Sequence, residues 1–397
     1  MSRTEHVLVV GAGVAGLTAA ICLDMAGIRA TVHEARPEHA DVGASYLIRN
    51  HGQRVLDRMG LLDEVNRHAL PMPLRYFTLQ GSSADEVVYP PSDMDHEEGG
   101  ISQAVCIDRS TFVNILLAEA RRRGVVIAYN KRLHTLEQGT DAVTAVFTDG
   151  SRAEGDVLIG ADGRGSATRS VLFPHARLAY TGGWNVYGRS RTETLAAAPA
   201  AELVGGAAFM HTVQGLSCMA YRDDALDPAN ITWLLSGTTA RKLPAKDFEL
   251  ADRQVLLKEL EEGLRHRSPF FADIIRASVR TAPTQVFHLP PLPAWSQGRV
   301  ALIGDTVHAA DPMTGMGTTL ALEDGMYVAK MLREHHYIDA FYYLHADRHQ
   351  AAEEFNAELD PDRIDDNPSR ALNSYRFDVN WDLADERPLS ALLSAAP

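Results

Sequence analysis

Lysine is scarce in this chain: only five of the 38 basic residues are lysines (Lys131, Lys242, Lys246, Lys258 and Lys330), and they form no run. Acidic residues outnumber basic ones 52 to 38, giving a formal charge of −14. This balance argues against nucleic acid and anionic membrane as partners, since both attract clustered cations. Cysteine is rarer still. Cys22, Cys106 and Cys218 lie far apart, with no CxxC and no metal-type spacing to histidine. No disulfide framework and no metal site is expected, each thiol reads as a small buried apolar residue, and the setting is expected to be reduced and cytoplasmic. No apolar run reaches the roughly 20 residues a membrane-spanning helix needs. One segment imitates a signal peptide, Arg3 followed by VLVVGAGVAGLTAAICL, but its glycines fall at the spacing of a nucleotide-binding turn. With 397 residues, the chain has room for two domains or one elaborated domain.

What is present begins with that turn. His6 to Val10 reads as a buried strand, Gly11-Ala-Gly13-Val14-Ala15-Gly16 opens a helix to about Met25, and a second strand, Ala30 to His33, ends at Glu34. Each glycine has a physical reason to be there. Gly11 makes the tight turn, Gly13 lets a pyrophosphate approach the backbone, and Gly16 packs helix against strand. Free N–H groups and the positive helix end then hold the phosphates, with Val14 and Ala15 in that first turn. Glu34 follows Gly11 by 23 residues, where a carboxylate accepts hydrogen bonds from an adenosine ribose, with Arg36 close behind it. NAD and FAD both satisfy this unit.

Two later segments repeat its shape: DVLIGADGRGSATR (156–169) and RVALIGDTVH (299–308), each an apolar strand ending in glycine beside an aspartate. Their spacing is irregular, so they are not a solenoid repeat. Three strand ends meeting at one crevice is the better account, because ligands of open α/β sheets sit beyond the carboxyl ends of the strands.

With GAGVAG and Glu34, the Arg109 segment IDRSTFVNIL, GADGRGSATR and GDTVHAADPMTGMG, the chain resembles the FAD-dependent aromatic monooxygenases, single-component flavoprotein hydroxylases related to p-hydroxybenzoate hydroxylase. The resemblance implies an α/β fold: a Rossmann-like FAD-binding domain interleaved with an antiparallel substrate sheet, and a C-terminal helix. It implies noncovalent FAD, with Asp305 at the ribityl or phosphate region, Arg109 at the pyrophosphate or ribityl, and Asp162-Gly163 serving both FAD and NADPH. Pro312, Gly315 and Gly317 would leave room for the flat isoalloxazine ring. The helix that starts near Gly317 and Thr318 would face the ring's N1 and C2 carbonyl, where negative charge collects on reduction. NADPH or NADH is then a transient electron donor, O2 adds at the flavin C4a position, and the distal oxygen passes to an aromatic or polycyclic small molecule. No metal is required. His308 reads as a hydrogen-bonded structural residue.

The segments 72–105 and 177–290 hold short β-rich pieces and are expected to form the substrate sheet, inserted into an FAD domain made of 1–71, 106–176 and 291–345. Met210, Met219, Tyr221 and Trp233 are the expected pocket residues. The stretch 40–62 resembles the family's glycine-led flavin loop, but Arg49 stands where proline often precedes the Asn. Arg49 is read two ways, as the anchor of a polar or anionic substrate or as a salt-bridged loop residue. Residues 346–397 are expected to carry the rest of an amphipathic helix and an acidic tail around DPDRIDD. A flavin halogenase is disfavoured, because Trp184, Trp233, Trp295 and Trp381 form no Trp-x-Trp and no lysine precedes Lys131. An FAD-linked reductase and a cyclase using FAD structurally remain open.

Overall fold

The computed structural model describes residues 4–38, 45–72, 75–80, 83–88, 104–213, 215–239, 241–244, 247–249, 251–310, 312, 315–358 and 377–387. The start of the expected flavin loop (40–44) and the acidic tail (360–366) lie outside the described residues.

The apolar runs found in the sequence pair as neighbours. One sheet has the order Ser296–Gln297, Val300–Leu302, Val157–Gly160, His6–Val10, Arg29–His33, Val126–Ala128, and all pairings except that of the short edge strand Ser296–Gln297 are parallel. Val10 stands opposite Gly160, and Gly160 opposite Leu302, so the three glycine-terminated strand ends lie side by side. The helix Val14–Met25 is buried from Val14 to Leu23, which explains its all-round apolar sequence. It is covered by the helix Gly317–Glu334. At their crossing a Cβ on Gly325 would sit 2.8 Å from the carbonyl of Ala15 and 2.8 Å from the amide of Ala19, so the two backbones touch. No described helix is long and apolar enough to cross a membrane.

A second, seven-stranded sheet runs Ser278–His288, Ala179–Arg191, Asn230–Thr238, Leu216–Tyr221, Ala208–Val213, Arg75–Gln80, Ser83–Val88. It is antiparallel except where Ala208–Val213 meets Arg75–Gln80 in parallel, which the sequence reading did not foresee. Those two strands are joined through the first sheet rather than by a hairpin, and only a hairpin forces antiparallel pairing. One face of this sheet packs on the helices Arg253–Leu264 and Pro269–Arg276 to form a separate core containing Val186, Phe209, Ile231, Trp233, Leu235 and Phe271. Two three-stranded sheets complete the described strands. A meander of Leu133–Gln138, Val143–Phe147 and Arg152–Gly155 was not anticipated, and the other joins Ser45–Ile48, Val105–Asp108 and Leu70–Pro71. The expected late helix runs from Tyr337 to Glu358, and the segment Phe377–Arg387 docks on Gly317–Glu334, with Lys330 Nζ donating to the carbonyl of Asn380 at 2.7 Å.

Candidate cofactor site

The first glycine turn leaves little freedom in its closed part and much in its open part. Gly11 has φ +109°, and a Cβ there would lie 2.3 Å from the carbonyl oxygen of Ala161; one on Gly16 would lie 2.0 Å from that of Gly11. A Cβ on Gly13 would meet nothing within 4 Å. Among the described residues no side chain caps the helix that Gly13 begins, and its first turn holds no acid. Val14 and Ala15 are buried, so what they offer a ligand is backbone N–H. Glu34 accepts from the amide of Ala12 at 2.8 Å through Oε2 and from that of Arg36 at 2.8 Å through Oε1. Each oxygen keeps a further lone pair for a ribose hydroxyl. Arg36 itself is exposed.

Beyond the second strand end the side chain and the backbone part company. The Asp162 carboxylate accepts from Ser166 Oγ at 2.5 Å, Ala167 N at 2.7 Å and Thr168 N at 3.0 Å, which caps the helix Ala167–Leu172. The orphan N–H groups of the helix start thus engage Oδ2, while Oδ1, which accepts from Ser166, keeps a further lone pair. Gly163 remains open, since a Cβ placed on it would meet nothing within 4 Å, and its amide donates to Thr306 Oγ1 at 3.2 Å.

The third strand end is built around Gly304, at φ 64° and ψ −148°, a region that only glycine occupies readily. Its amide donates to Asp324 Oδ2 at 2.8 Å, the same oxygen that His308 Nε2 meets at 2.7 Å. Arg348 Nε donates to Asp324 Oδ1 at 2.7 Å, and its Nη2 lies 2.9 Å from Glu323. This buried cluster leaves Asp305 exposed at the start of the short helix Asp305–His308. Asp305 Oδ1 lies 3.8 Å from where a Gly317 Cβ would stand, facing the start of the helix Gly317–Glu334. That helix has no side-chain cap among the described residues and no acid in its first turn. Gly317 and Pro312 are exposed, Thr318 is buried, and Gly315 packs beside Leu47 and within 3.6 Å of Arg49 Nη2 as measured from a built Cβ. Arg49 is buried, and its amide donates to Thr319 Oγ1 at 3.1 Å.

Arg109, the first residue of the helix Arg109–Arg122, holds its guanidinium 4.8 Å from the ring centre of Tyr46. Its Nε is buried and has no hydrogen-bond partner among the described residues. Burial pushes the Tyr46 hydroxyl up, and the Arg109 guanidinium opposes that shift.

On the seven-stranded sheet, side chains alternate between faces. Ile231, Trp233 and Leu235 point into the helix-covered core, and the Trp233 Nε1 donates to Ser278 Oγ at 2.9 Å. Trp233 is thus corrected from pocket wall to core residue. Met210 and Met219 are register partners on the opposite face, which also carries Tyr221. Tyr221 bonds Ser45 Oγ at 2.5 Å, so that face is turned toward the three-stranded sheet that holds Ser45. Sequence reasoning missed Asp324 and Arg348. The only signal was a Glu-Asp pair inside an otherwise buried helix.

The residues fit FAD. The open approach at Gly13, the Arg109 Nε with no partner among the described residues and the exposed Asp305 beside an uncapped helix start are the kinds of donor and acceptor that FAD's phosphates and hydroxyls would need. Among the described residues no cluster of His, Cys, Asp and Glu could hold a metal ion.

The known proteins agree. The family model described as an FAD binding domain matches residues 4–222 and 248–354. The 6-hydroxynicotinate 3-monooxygenase of Pseudomonas fluorescens is 28% identical over 363 residues, covering 89% of each chain. The FAD-dependent urate hydroxylase of Klebsiella oxytoca is 27% identical, over 82% of this chain and 81% of its own. Among solved structures, the 2,6-dihydroxypyridine-3-hydroxylase of Arthrobacter nicotinovorans superposes with a TM-score of 0.77 at 18% identity, covering 95% of both chains, which speaks for the fold. The matched model spans most of the chain and includes every glycine turn described above, so this protein belongs to the FAD binding domain family and is an FAD-dependent monooxygenase.

Proposed function

We propose that the chain hydroxylates or epoxidises a small aromatic molecule, a hydroxylated ring or a polycyclic compound, using NADPH or NADH and O2. The observation that carries this reading is Asp305, an exposed carboxylate held at the third strand end against the uncapped start of the helix at Gly317. When bound, FAD accepts hydride from the reduced nicotinamide and activates O2. The protein's own residues bind, orient and exclude water. In this reading the N–H groups of Val14 and Ala15 hold the pyrophosphate and Glu34 the adenosine ribose. Asp305 accepts from the ribityl hydroxyls, Arg109 neutralises phosphate or meets the ribityl, and the helix start at Gly317 and Thr318 stabilises negative charge on the ring edge by roughly 1 kcal/mol. Met210, Met219 and Tyr221 wall the substrate, with Arg49 at the flavin turn as the anchor for a polar or anionic group. The same reading divides the chain into a discontinuous FAD part and a substrate part with the boundaries expected from sequence.

Aromatic substrate is favoured because relatives at 28% and 27% identity are named for hydroxynicotinate and urate. The test is a panel of hydroxypyridines, urate and polycyclic phenols, scored by the rate of NAD(P)H-dependent flavin bleaching. A true substrate is expected to speed reduction by at least about tenfold, or roughly 1.4 kcal/mol of barrier, and to gain one oxygen atom from labelled O2. A product without label would favour the reductase or cyclase reading.

A further inference from the structure

The seven-stranded sheet meets the three-stranded sheet of Ser45–Ile48, Val105–Asp108 and Leu70–Pro71 at a joint built from directly opposed residues. Ser45 and Asp108 are register partners on the paired strands Ser45–Ile48 and Val105–Asp108. On the seven-stranded sheet, Thr232 stands opposite both Arg189 and Tyr221, so Arg189, Thr232 and Tyr221 form one row on one face. The two rows are bonded to each other. Tyr221 Oη meets Ser45 Oγ at 2.5 Å, and Arg189 Nη2 is paired with Asp108 and lies 3.1 Å from Asp223 Oδ2. Thr232 Oγ1 donates to that same Asp223 oxygen at 2.8 Å, and the amide of Asp108 donates to the carbonyl of Asp223 at 3.1 Å.

The chain neighbours of Ser45 and Asp108 give the joint its meaning. The next residues along are Tyr46 and Arg109, whose guanidinium lies over the Tyr46 ring at 4.8 Å. Asp108 also caps the helix that Arg109 begins, accepting from Thr111 N at 2.7 Å, so its carboxylate fixes where that helix starts. A displacement of the substrate-side sheet therefore reaches Arg109 through the Arg189–Asp108 ion pair, the Asp108–Asp223 backbone bond and one capped helix start, and reaches Tyr46 through one hydroxyl bond.

We infer that Arg189 is a positioning residue, which sets the place of Arg109 at the cofactor through Asp108 and so ties the substrate-side sheet to FAD. Tyr221 supports the same joint through Ser45. The inference rests on the reading of Arg109 as an FAD contact, and the experiment separates the two. FAD dissociation from the full-length protein is followed on dilution, by recovery of free-flavin fluorescence, for the parent, Arg109→Met, Arg189→Met and the double variant. Arg109→Met is expected to weaken FAD at least tenfold and Arg189→Met at least threefold. The double variant should be no more than about twofold weaker than Arg109→Met, because Arg189 acts through Arg109.

One nitrogen of Arg189 meets both carboxylates, so Arg189→Lys should recover at least half of the loss on a logarithmic scale. A residue that merely stabilised the fold would give multiplying losses in the double variant, and that result overturns the inference. Unchanged FAD binding in Arg109→Met would instead remove the Arg109 assignment itself, and the inference with it. If Arg189→Met does not fold, Tyr221→Phe carries the same test. It should weaken FAD two- to fivefold in the parent and not at all in Arg109→Met, and equal effects in both backgrounds overturn the joint.

Discussion

Two carboxylates in this molecule share full burial and differ in almost all its consequences. Asp324, beneath the Gly304 turn, has both oxygens engaged, by Arg348 on one side and by Gly304 N–H and His308 on the other. Burial pushes its acid up, but the Arg348 guanidinium, His308 and the Gly304 amide outweigh burial and hold it at about 2. Asp223, at the joint between the sheets, has Thr232 and Arg189 on Oδ2, while Oδ1 has no partner among the described residues. Arg189 is shared with Asp108, and burial lifts Asp223 to about 6. Depth is the same in both, so the neighbours set the direction: Asp324 faces cations and donors on both oxygens, whereas Asp223 shares its one cation and stands near the carboxylates of Asp108 and Asp224.

The signs of their pH responses are opposite. Asp324, depressed below its ordinary value of 3.8, contributes stability that is present above that value and lost as pH falls through about 2. Asp223, raised above 3.8, contributes stability that is full below that value and lost as pH rises through about 6.

The comparison breaks hardest at Arg348. Arg348→Met strips the cation from Asp324 and Glu323 and should cost about 3–5 kcal/mol of stability by urea denaturation, since it leaves buried charge uncompensated. A loss below about 1 kcal/mol would mean the cluster is not the frame of the turn. Asp305→Ala removes what that frame presents and nothing that supports it. FAD affinity should fall by about 1.5–3 kcal/mol, roughly tenfold or more, with little change in apoprotein stability. Equal affinity in variant and parent would refute the role of Asp305. The smallest effect sharpens the other half: relative to Asp223→Asn, the parent should lose about 1–2 kcal/mol of stability between pH 4 and pH 7. Parallel stability curves for the two proteins would show that Asp223 does not titrate in that window.

The parallel sheet was legible because its signals are local: each glycine turn directly follows an apolar strand, and each carboxylate stands at a strand end. The second sheet was legible as strands but not as faces. Ile231 to Leu235 are all buried, so the period of two that would have turned Trp233 toward the helices is hidden in the sequence. The capping role of Asp162 could have been read from Ser166, a good helix N-cap just downstream. Arg348 with Asp324, and Arg189 with Asp108, could not be read, because nothing local marks partners that lie 24 and 81 residues apart.

The dependence of Gly304 on Asp324, and of Asp324 on Arg348, also orders events in time. A ribosome delivers Gly11 first and Arg348 more than three hundred residues later. The strand Val300–Leu302 must find Val157–Gly160, and Arg348 must reach Asp324, before the third strand end takes its shape. Such distant pairings close slowly. The first turn waits as well, since Gly11 packs on Ala161 and the helix it opens is covered by Gly317–Glu334, so the three strand ends mature together and a cofactor that binds across them would stabilise only the assembled fold.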